Sequence, residues 1–389
     1  MSNHTKSLLD TDVESFHILD LPYFVVDKII APSWQYYATC HTLWNSVSDD
    51  VHIWLRDKTI YDRKFSGFWH AAKIRSETLW MWVQANGCST ISTCQLAAKE
   101  GDLVGLQWAL EHGCIWNKWT CIYAARYGHL HLLQWVRENG CPWSKWTSLM
   151  AAMGGHLHVL QWVYEKNCQW DERICSFAAR NNHIHVLQWA HANACAWDEW
   201  TCSMAAKGGN LHILKWAREN GCDWDEWTCS MAAKGGNLKI LQWARENGCN
   251  WNEWTCYMAS KGGHLDVLKW AHEHRCPWNE GTCSVAALNG HLHILQWAHE
   301  HGCPWNEFTC QGAAEGGHLQ VLQYAREKSC PWDEYTCQGA TEGGHLHVLE
   351  WARENGCPWN QSMCLNAAEE YGHFNILMWM SVTRKRMVC

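Results

Sequence analysis

The sequence predicts an all-α chain: a row of short helical pairs, each stacked on the next, behind a small helical module. Three observations predict it. Residues 201–227 and 228–254 are the same 27-residue stretch with four differences, His212/Lys239, Lys215/Gln242, Asp223/Asn250 and Asp225/Asn252. Alanine doublets stand at Ala71-Ala72, at Ala97-Ala98 and then every 27 residues as far as Ala367. Tryptophan, 31 in all, recurs at fixed phases of the same period. A period of 20–50 residues marks an array in which each repeat buries its apolar face on its neighbours.

Composition narrows the function classes. The net charge is −8 with Lys and Arg scattered, so no phosphate footprint and no nucleic-acid partner are expected. No apolar run reaches about 18 residues, and no membrane span is expected. The start, MSNHTKSLLDTDVESF, lacks the basic-then-apolar order of a secretory leader, which points to the cytoplasm. There the 23 cysteines are expected to stay reduced.

In chain order, residues 1–15 are polar and expected to be flexible. Residues 16–60 form the N-terminal module. Phe24, Val25, Ile29 and Ile30 fit one face of a helix that Pro22 opens and Pro32 stops. A second helical stretch carries Tyr37, Cys40, Leu43, Trp44 and Val47, and a third, after Asp49-Asp50, carries Ile53, Trp54 and Leu55. The order Leu21-Pro22, Ile29, Cys40-x-x-Leu43-Trp44, Trp54 resembles an F-box, although the stretch between Pro22 and Cys40 is about five residues short of that pattern. The resemblance implies a three-helix module that docks a Skp1-like protein of a cullin ubiquitin ligase through Leu21, Pro22, Ile29, Cys40, Leu43, Trp44 and Trp54. The residues alone also allow a plain helical cap over the first repeat, which a stacked array needs at its end.

Residues 61–380 hold twelve repeats, with Ser260 and Thr341 replacing the second alanine of their doublets, and 381–389 form a basic tail. In the repeat that begins at Thr201, that threonine is expected to cap a short helix. Met204, Ala205 and Ala206 give the helix a face of little bulk, and Gly208-Gly209 ends it. A second helix is expected from Asn210 to Asn220, with Leu211, Ile213, Leu214, Trp216 and Ala217 as its apolar stripe. Gly221 stops it, and CDWDEW leads to the next threonine. Neither helix reaches the ~12–15 residues needed to stand alone in water, so packing must hold both. Trp82, Trp108, Trp135, Trp162, Trp189, Trp216, Trp243, Trp270, Trp297 and Trp351, with Tyr324 once, are expected as core anchors. A buried indole hides about 150–250 Å², or roughly 4–6 kcal/mol as an upper figure.

The order Thr228-Cys229-x-x-Ala232-Ala233-x-x-Gly236, Leu238, Ile240-Leu241, Gly248-Cys249, Trp251-Asn252 resembles the ankyrin repeat, and the match in phase runs from residue 71 to about 380. The resemblance implies a non-enzymatic solenoid whose concave face binds a target protein through the turn before the first helix and the end of that helix. Three departures stand out. The repeat is 27 residues, not about 33, so the projecting β-hairpin should be nearly absent. Cysteine replaces the proline after threonine. Methionine or another residue replaces the histidine that bonds to that threonine. Short repeats rich in Trp and Cys behind an F-box resemble a family abundant in large DNA viruses of amoebae and algae, which implies a host cytoplasm.

The candidate binding positions follow from that resemblance. Before the threonine stand Trp119, Trp146, Trp200, Trp227, Trp254, Phe308 and Tyr335. After the alanine doublet stand Arg126, Arg180, Lys207, Lys234 and Lys261, then Glu315 and Glu342, with the sign changing near Leu288. Stacking would set each series in a row, about 8–10 Å apart. The expectation is a groove with an aromatic ladder flanked by a charge switch. The same aromatics could instead fill space left by the missing hairpin. Two cysteines recur in each repeat, as at Cys222 and Cys229. Corresponding ones in successive repeats should lie beyond the ~7 Å reach of a disulfide, so they are read as small buried side chains. A Cys/His metal-binding array is a minor alternative. No phosphate loop or nucleophile motif stands out, so no catalytic residue, cofactor or metal is assigned, and a monomer is expected.

Overall fold

A computed structural model of the chain describes residues 71–77, 79–81 and 92–387. The F-box-like module, with Leu21, Pro22, Ile29, Cys40, Leu43, Trp44 and Trp54, lies outside these residues, as does Trp82. Every regular element among the described residues is a helix. The chain divides into two compact units between Asp171 and Glu172. The first contains α1 (Thr93–Glu100), α2 (Leu103–Glu111), α3 (Lys118–Arg126), α4 (Leu130–Glu138), α5 (Lys145–Gly154) and α6 (Leu157–Glu165). The second begins with α7 (Arg173–Arg180), α8 (Ile184–Ala192), α9 (Glu199–Lys207), α10 (Leu211–Glu219), α11 (Glu226–Lys234), α12 (Leu238–Glu246), α13 (Glu253–Gly262) and α14 (Leu265–Glu273). It continues through α15 (Glu280–Leu288), α16 (Leu292–Glu300), α17 (Glu307–Glu315), α18 (Leu319–Glu327), α19 (Glu334–Glu342), α20 (Leu346–Glu354), α21 (Gln361–Glu370) and α22 (Phe374–Met387). Odd numbers are the first helix of a repeat and even numbers the second. The helical solenoid expected from the sequence is therefore present in both units. Helix α22 continues past position 380, into the segment expected as a tail.

The first helix does not start where the threonine suggested. Helix α11 is capped by Asp225, whose Oδ1 accepts from the Trp227 amide at 3.0 Å. Asn252, Asn306 and Asp333 do the same for Trp254, Phe308 and Tyr335 at 3.1–3.2 Å. An Asp or Asn three residues before the threonine thus satisfies one of the orphan amides of the helix start. The threonine falls in the third helical position and is buried. The hydroxyls of Thr93, Thr120, Thr201, Thr255, Thr282 and Thr336 have no hydrogen-bond partner. Those of Thr255 and Thr282 lie beside the Cys276 and Cys303 thiols, outside hydrogen-bond geometry. Thr228 and Thr309 instead meet Ser203 and Ser284, hydroxyl to hydroxyl, at 3.3 and 3.5 Å.

Within each unit an odd helix packs chiefly on the odd helices of adjacent repeats. The alanine doublets make this possible: Ala205, Ala206, Ala232 and Ala233 are fully buried. Gly208 permits a closer approach still, since a Cβ there would sit 2.0 Å from the Arg180 carbonyl oxygen of the preceding repeat. Gly209 takes the left-handed turn, with φ +80°. The residue that opens the second helix then reaches back. Asn210 Nδ2 donates to the carbonyls of Ala179 and Arg180 at 2.7 and 3.0 Å. Asn237 does the same to Ala206 and Lys207. His129 and His264 donate through Nε2 to Lys99 and Lys234 at 3.0 and 3.2 Å. Each repeat thereby satisfies carbonyls left open at the end of its neighbour's helix.

The recurring tryptophans of the second helices are not the core anchors expected of them. Trp108, Trp135, Trp162, Trp216, Trp243, Trp270 and Trp297 are half-buried, so the gain per indole is nearer 2–3 kcal/mol, roughly half the fully buried figure. The core is aliphatic, made of pairs such as Ile213-Leu214, Ile240-Leu241 and Ile294-Leu295 with the alanines. The indoles form a clasp between repeats. Trp224 of the linker meets Trp243 edge-on, with ring centroids 5.6 Å apart, and Trp251 meets Trp270 at 5.8 Å. The Arg218 guanidinium lies 4.5 Å over Trp224 and its Nη1 donates to the Cys222 carbonyl at 2.6 Å. Where arginine is replaced, His272 and His299 stack on Trp278 and Trp305 at 4.1 and 3.8 Å.

Two predictions follow from this packing. Thr255→Val removes an unpaired buried hydroxyl and keeps the shape, so thermal unfolding should show unchanged stability or a gain of up to about 1 kcal/mol; a loss larger than that would mean the hydroxyl is bonded. Burial first, with the neighbouring histidines, pushes His291 and His345 below the ordinary value of 6.5. The unfolded chain then binds more protons than the folded one as pH falls through 6.5, so stability is full above that value and is lost below it. The melting temperature should drop between pH 7 and pH 5, and the drop should shrink in His291→Asn/His345→Asn, which copies the Asn210 and Asn237 arrangement. An equal drop in both proteins would contradict this assignment.

Candidate functional site

The caps of several odd helices hold a ring at a fixed place. Asn117, Asp225, Asn252, Asn306 and Asp333 accept from the amide two positions on, and that residue is the aromatic; Asn279 does the same for Gly281. In the second unit Trp200 and Trp227 stack with centroids 6.3 Å apart and planes 24° apart, and Trp227 and Trp254 follow at 5.8 Å and 32°. Phe308 and Tyr335 hold the same position farther on, whereas Arg173 and Gly281 replace the ring. In the first unit Trp119 instead runs along its own helix to Tyr123 at 6.3 Å, and Tyr123 stacks on Tyr127. Lys99 Nζ lies 5.8 Å over the Tyr127 ring.

These aromatics combine mutual packing with exposure. The rings pack on one another where three follow in sequence, yet Trp119, Trp146, Trp200, Trp254, Phe308 and Tyr335 keep 39–55% of their surface exposed. Trp227, between two indoles, is half-buried.

The residues after the alanine doublets sit at the opposite end of the odd helices. Arg126, Arg180, Lys261 and Glu315 are exposed, and Lys207, Lys234 and Glu342 are half-exposed. Burial first, then the charges of Arg180 and Lys234, lower the Lys207 pKa, which sets three cations of successive repeats side by side. From α15 on the cations give way to Leu288, Glu315 and Glu342. A nine-residue helix separates this end from the aromatic row by about 12 Å.

A second charged row escaped the sequence reading. Glu199, Glu226, Glu253, Glu280, Glu307 and Glu334 begin their helices directly before the ring position. Carboxylates there also favour the helix start. Burial first, then Glu226 and Glu199, raise the Asp225 pKa, a sign of crowded carboxylates. The row's signal in the sequence is a glutamate before the ring position, as in Glu199-Trp200, Glu226-Trp227 and Glu253-Trp254. In the repeats of α17 and α19 both ends of the first helix are acidic, Glu307 with Glu315 and Glu334 with Glu342.

The cysteines also pair in a way that spacing between repeats hid. Helix thiols meet the linker thiol of their own repeat, twenty residues on, as in Cys202 with Cys222, Cys229 with Cys249 and Cys310 with Cys330. The linker thiol turns back to the cap that opens the repeat, with Cys222 Sγ 3.3 Å from the Asp198 carbonyl and Cys249 Sγ 3.2 Å from that of Asp225. Contact with the partner thiol, then burial, pushes Cys202, Cys229 and Cys310 far above the ordinary range. Burial raises Cys364 to about 11. Protonated thiols of this kind are weak nucleophiles and behave as small apolar side chains with a weak donor. Among the described residues no group of three or more His, Cys, Asp or Glu converges to hold a metal ion. No helix among them is long and apolar enough to cross a membrane.

Residues 229–272 match the family model described as ankyrin repeats in many copies. The matched stretch runs from Cys229 to His272, over α12, α13 and most of α11 and α14, and the described repeats beyond it carry the same helical pair. No curated protein matches the chain.

Proposed function

We propose that this ankyrin-repeat protein recruits a target protein on the aromatic row of its odd helices and presents it to a ubiquitin ligase. The coarse part is a property of the fold. Ankyrin repeats are a protein-interaction architecture, typically a non-enzymatic scaffold. The finer part rests on one observation: Trp200, Trp227 and Trp254 stand in a row with the outer two rings exposed, each preceded by a carboxylate, Glu199, Glu226 or Glu253. Large rigid rings next to charge are the side chains that carry most binding energy at protein interfaces. The Arg126, Arg180, Lys207, Lys234 and Lys261 positions, and Glu315 with Glu342, would fix the orientation of the bound segment by charge. Trp119 and Trp146 would serve the first unit, and Phe308 and Tyr335 the far end of the second.

The ligase link is supported by the F-box-like order of Leu21, Pro22, Ile29, Cys40, Leu43, Trp44 and Trp54. In that reading the chain acts as a monomer in the reducing cytoplasm, with one end held by a Skp1-like protein. Without it, the same face serves a plain interaction scaffold and the first residues serve as a cap.

Two measurements test these levels separately. Trp200→Ala/Trp227→Ala/Trp254→Ala should keep helicity and lose at least tenfold in affinity for a captured and reconstituted target. A large fall in melting temperature with unchanged affinity would assign the row to packing alone. Co-purification with Skp1 should require residues 1–60; capture that persists without them, or never occurs, would remove the ligase link and leave the scaffold.

A further inference from the structure

Two departures from the repeat pattern meet in space. Gly281 stands where the neighbouring repeats carry Trp254 and Phe308, and Tyr257 stands where most repeats of the second unit carry Ser or Gln. A Cβ on Gly281 would lie 3.3 Å from Tyr257 Cδ2, so the tyrosine ring lies against the bare backbone of the next repeat. Between Trp254 and Phe308 this leaves a notch of about 310 Å³, lined also by Glu253, Glu280, Asn279 and Ser284. It occupies the place of a missing rung. Trp254 meets Tyr257 edge-on at 5.0 Å on one side, and the exposed Phe308 ring borders the other.

We propose that this notch binds an arginine side chain of the partner protein, a reading that rests on the aromatic row being a protein-binding face. Three features select the occupant. A row of flat rings, Trp200, Trp227 and Trp254, runs up to one side and the exposed Phe308 ring stands on the other, and a guanidinium is the flat cation that stacks on aromatic faces. Glu253 and Glu280 supply carboxylates that a forked donor can engage in two parallel bonds. The field is acidic from this point on, with Glu280, Glu307, Glu315, Glu334 and Glu342 and no basic residue on α15, α17 or α19. A lysine ammonium is more strongly hydrated and has no plane to match the rings. Gly281 therefore acts as a vacancy in the ladder that sets the register of the bound segment by one residue.

The test uses the full chain labelled with nitrogen-15 at tryptophan and three blocked tripeptides, acetyl-Gly-Arg-Gly-amide and its lysine and citrulline counterparts. The arginine peptide should shift the Trp254 indole signal saturably. The lysine peptide should bind at least fivefold more weakly, and the neutral citrulline peptide should give no saturable shift. Gly281→Trp, which restores the ring of the other repeats, should abolish the arginine response. Glu253→Gln/Glu280→Gln, which leaves the notch open, should weaken it at least fivefold. Equal binding of arginine and citrulline, or an undiminished response in both variants, overturns the proposal. If the arginine peptide does not bind while the tryptophan variants still lose their target, the notch assignment falls and the wider face stands.

Discussion

The structure depends on how closely one first helix approaches the next. The alanine doublets remove side-chain bulk, and glycines such as Gly208 let a backbone carbonyl of the preceding repeat come within the space a methyl group would need. Carbonyls at the ends of the odd helices then face the next repeat. The next repeat supplies their donors through Asn210, Asn237, His129 or His264. Shape and polarity are thus solved by the same contact. No repeat can meet either requirement alone, because its helices are below the length that holds in water. The arginine–indole clasp on the even-helix side adds to this contact and ties the linker down, but its rings are half-buried and the aliphatic pairs carry the core.

Much of this was legible in one sequence because twelve copies act as their own comparison. The period, the two helices, the small-residue face and the glycine turn all recur in register, and each corresponds to a physical need that the structure shows. What failed did so for identifiable reasons. Threonine is a capping residue by type, which points to Thr201 and its equivalents, but Asp225 and Asn252 sit at the true boundary and the threonine lies buried in the third helical position. The tryptophans were assigned to the core by their size, although a linker indole waits beside each to make an edge-on pair that needs no full burial. The thiol pairs were missed because cysteines were compared between repeats, while Cys202 and Cys222 meet inside one. Sequence spacing of twenty residues carries no hint of that contact until the helical hairpin is folded.

In a repeat protein, recurrence separates two kinds of residue. Residues that recur in nearly all copies, the alanines, the glycines and the cysteines, serve the stack. Those that change from copy to copy are less tightly bound to it. The ring row, the carboxylates that precede it and the basic-to-acidic order at the far ends of the helices are of this second kind. Gly281 and Tyr257 are the clearest case, since two changes in adjacent repeats combine into one concavity. The first unit arranges its rings along a helix instead, so the two units offer different surfaces from the same repeat.

The central claim is that close backbone approach between repeats holds the fold, and Gly208→Ala tests it most directly. Gly208 has right-handed backbone angles, φ −76° and ψ −5°, a conformation in which alanine ordinarily stabilises a protein by about 0.4–1 kcal/mol. The account predicts the opposite sign, a lowered melting temperature, because the new methyl would collide with the Arg180 carbonyl. An unchanged or raised melting temperature would contradict it.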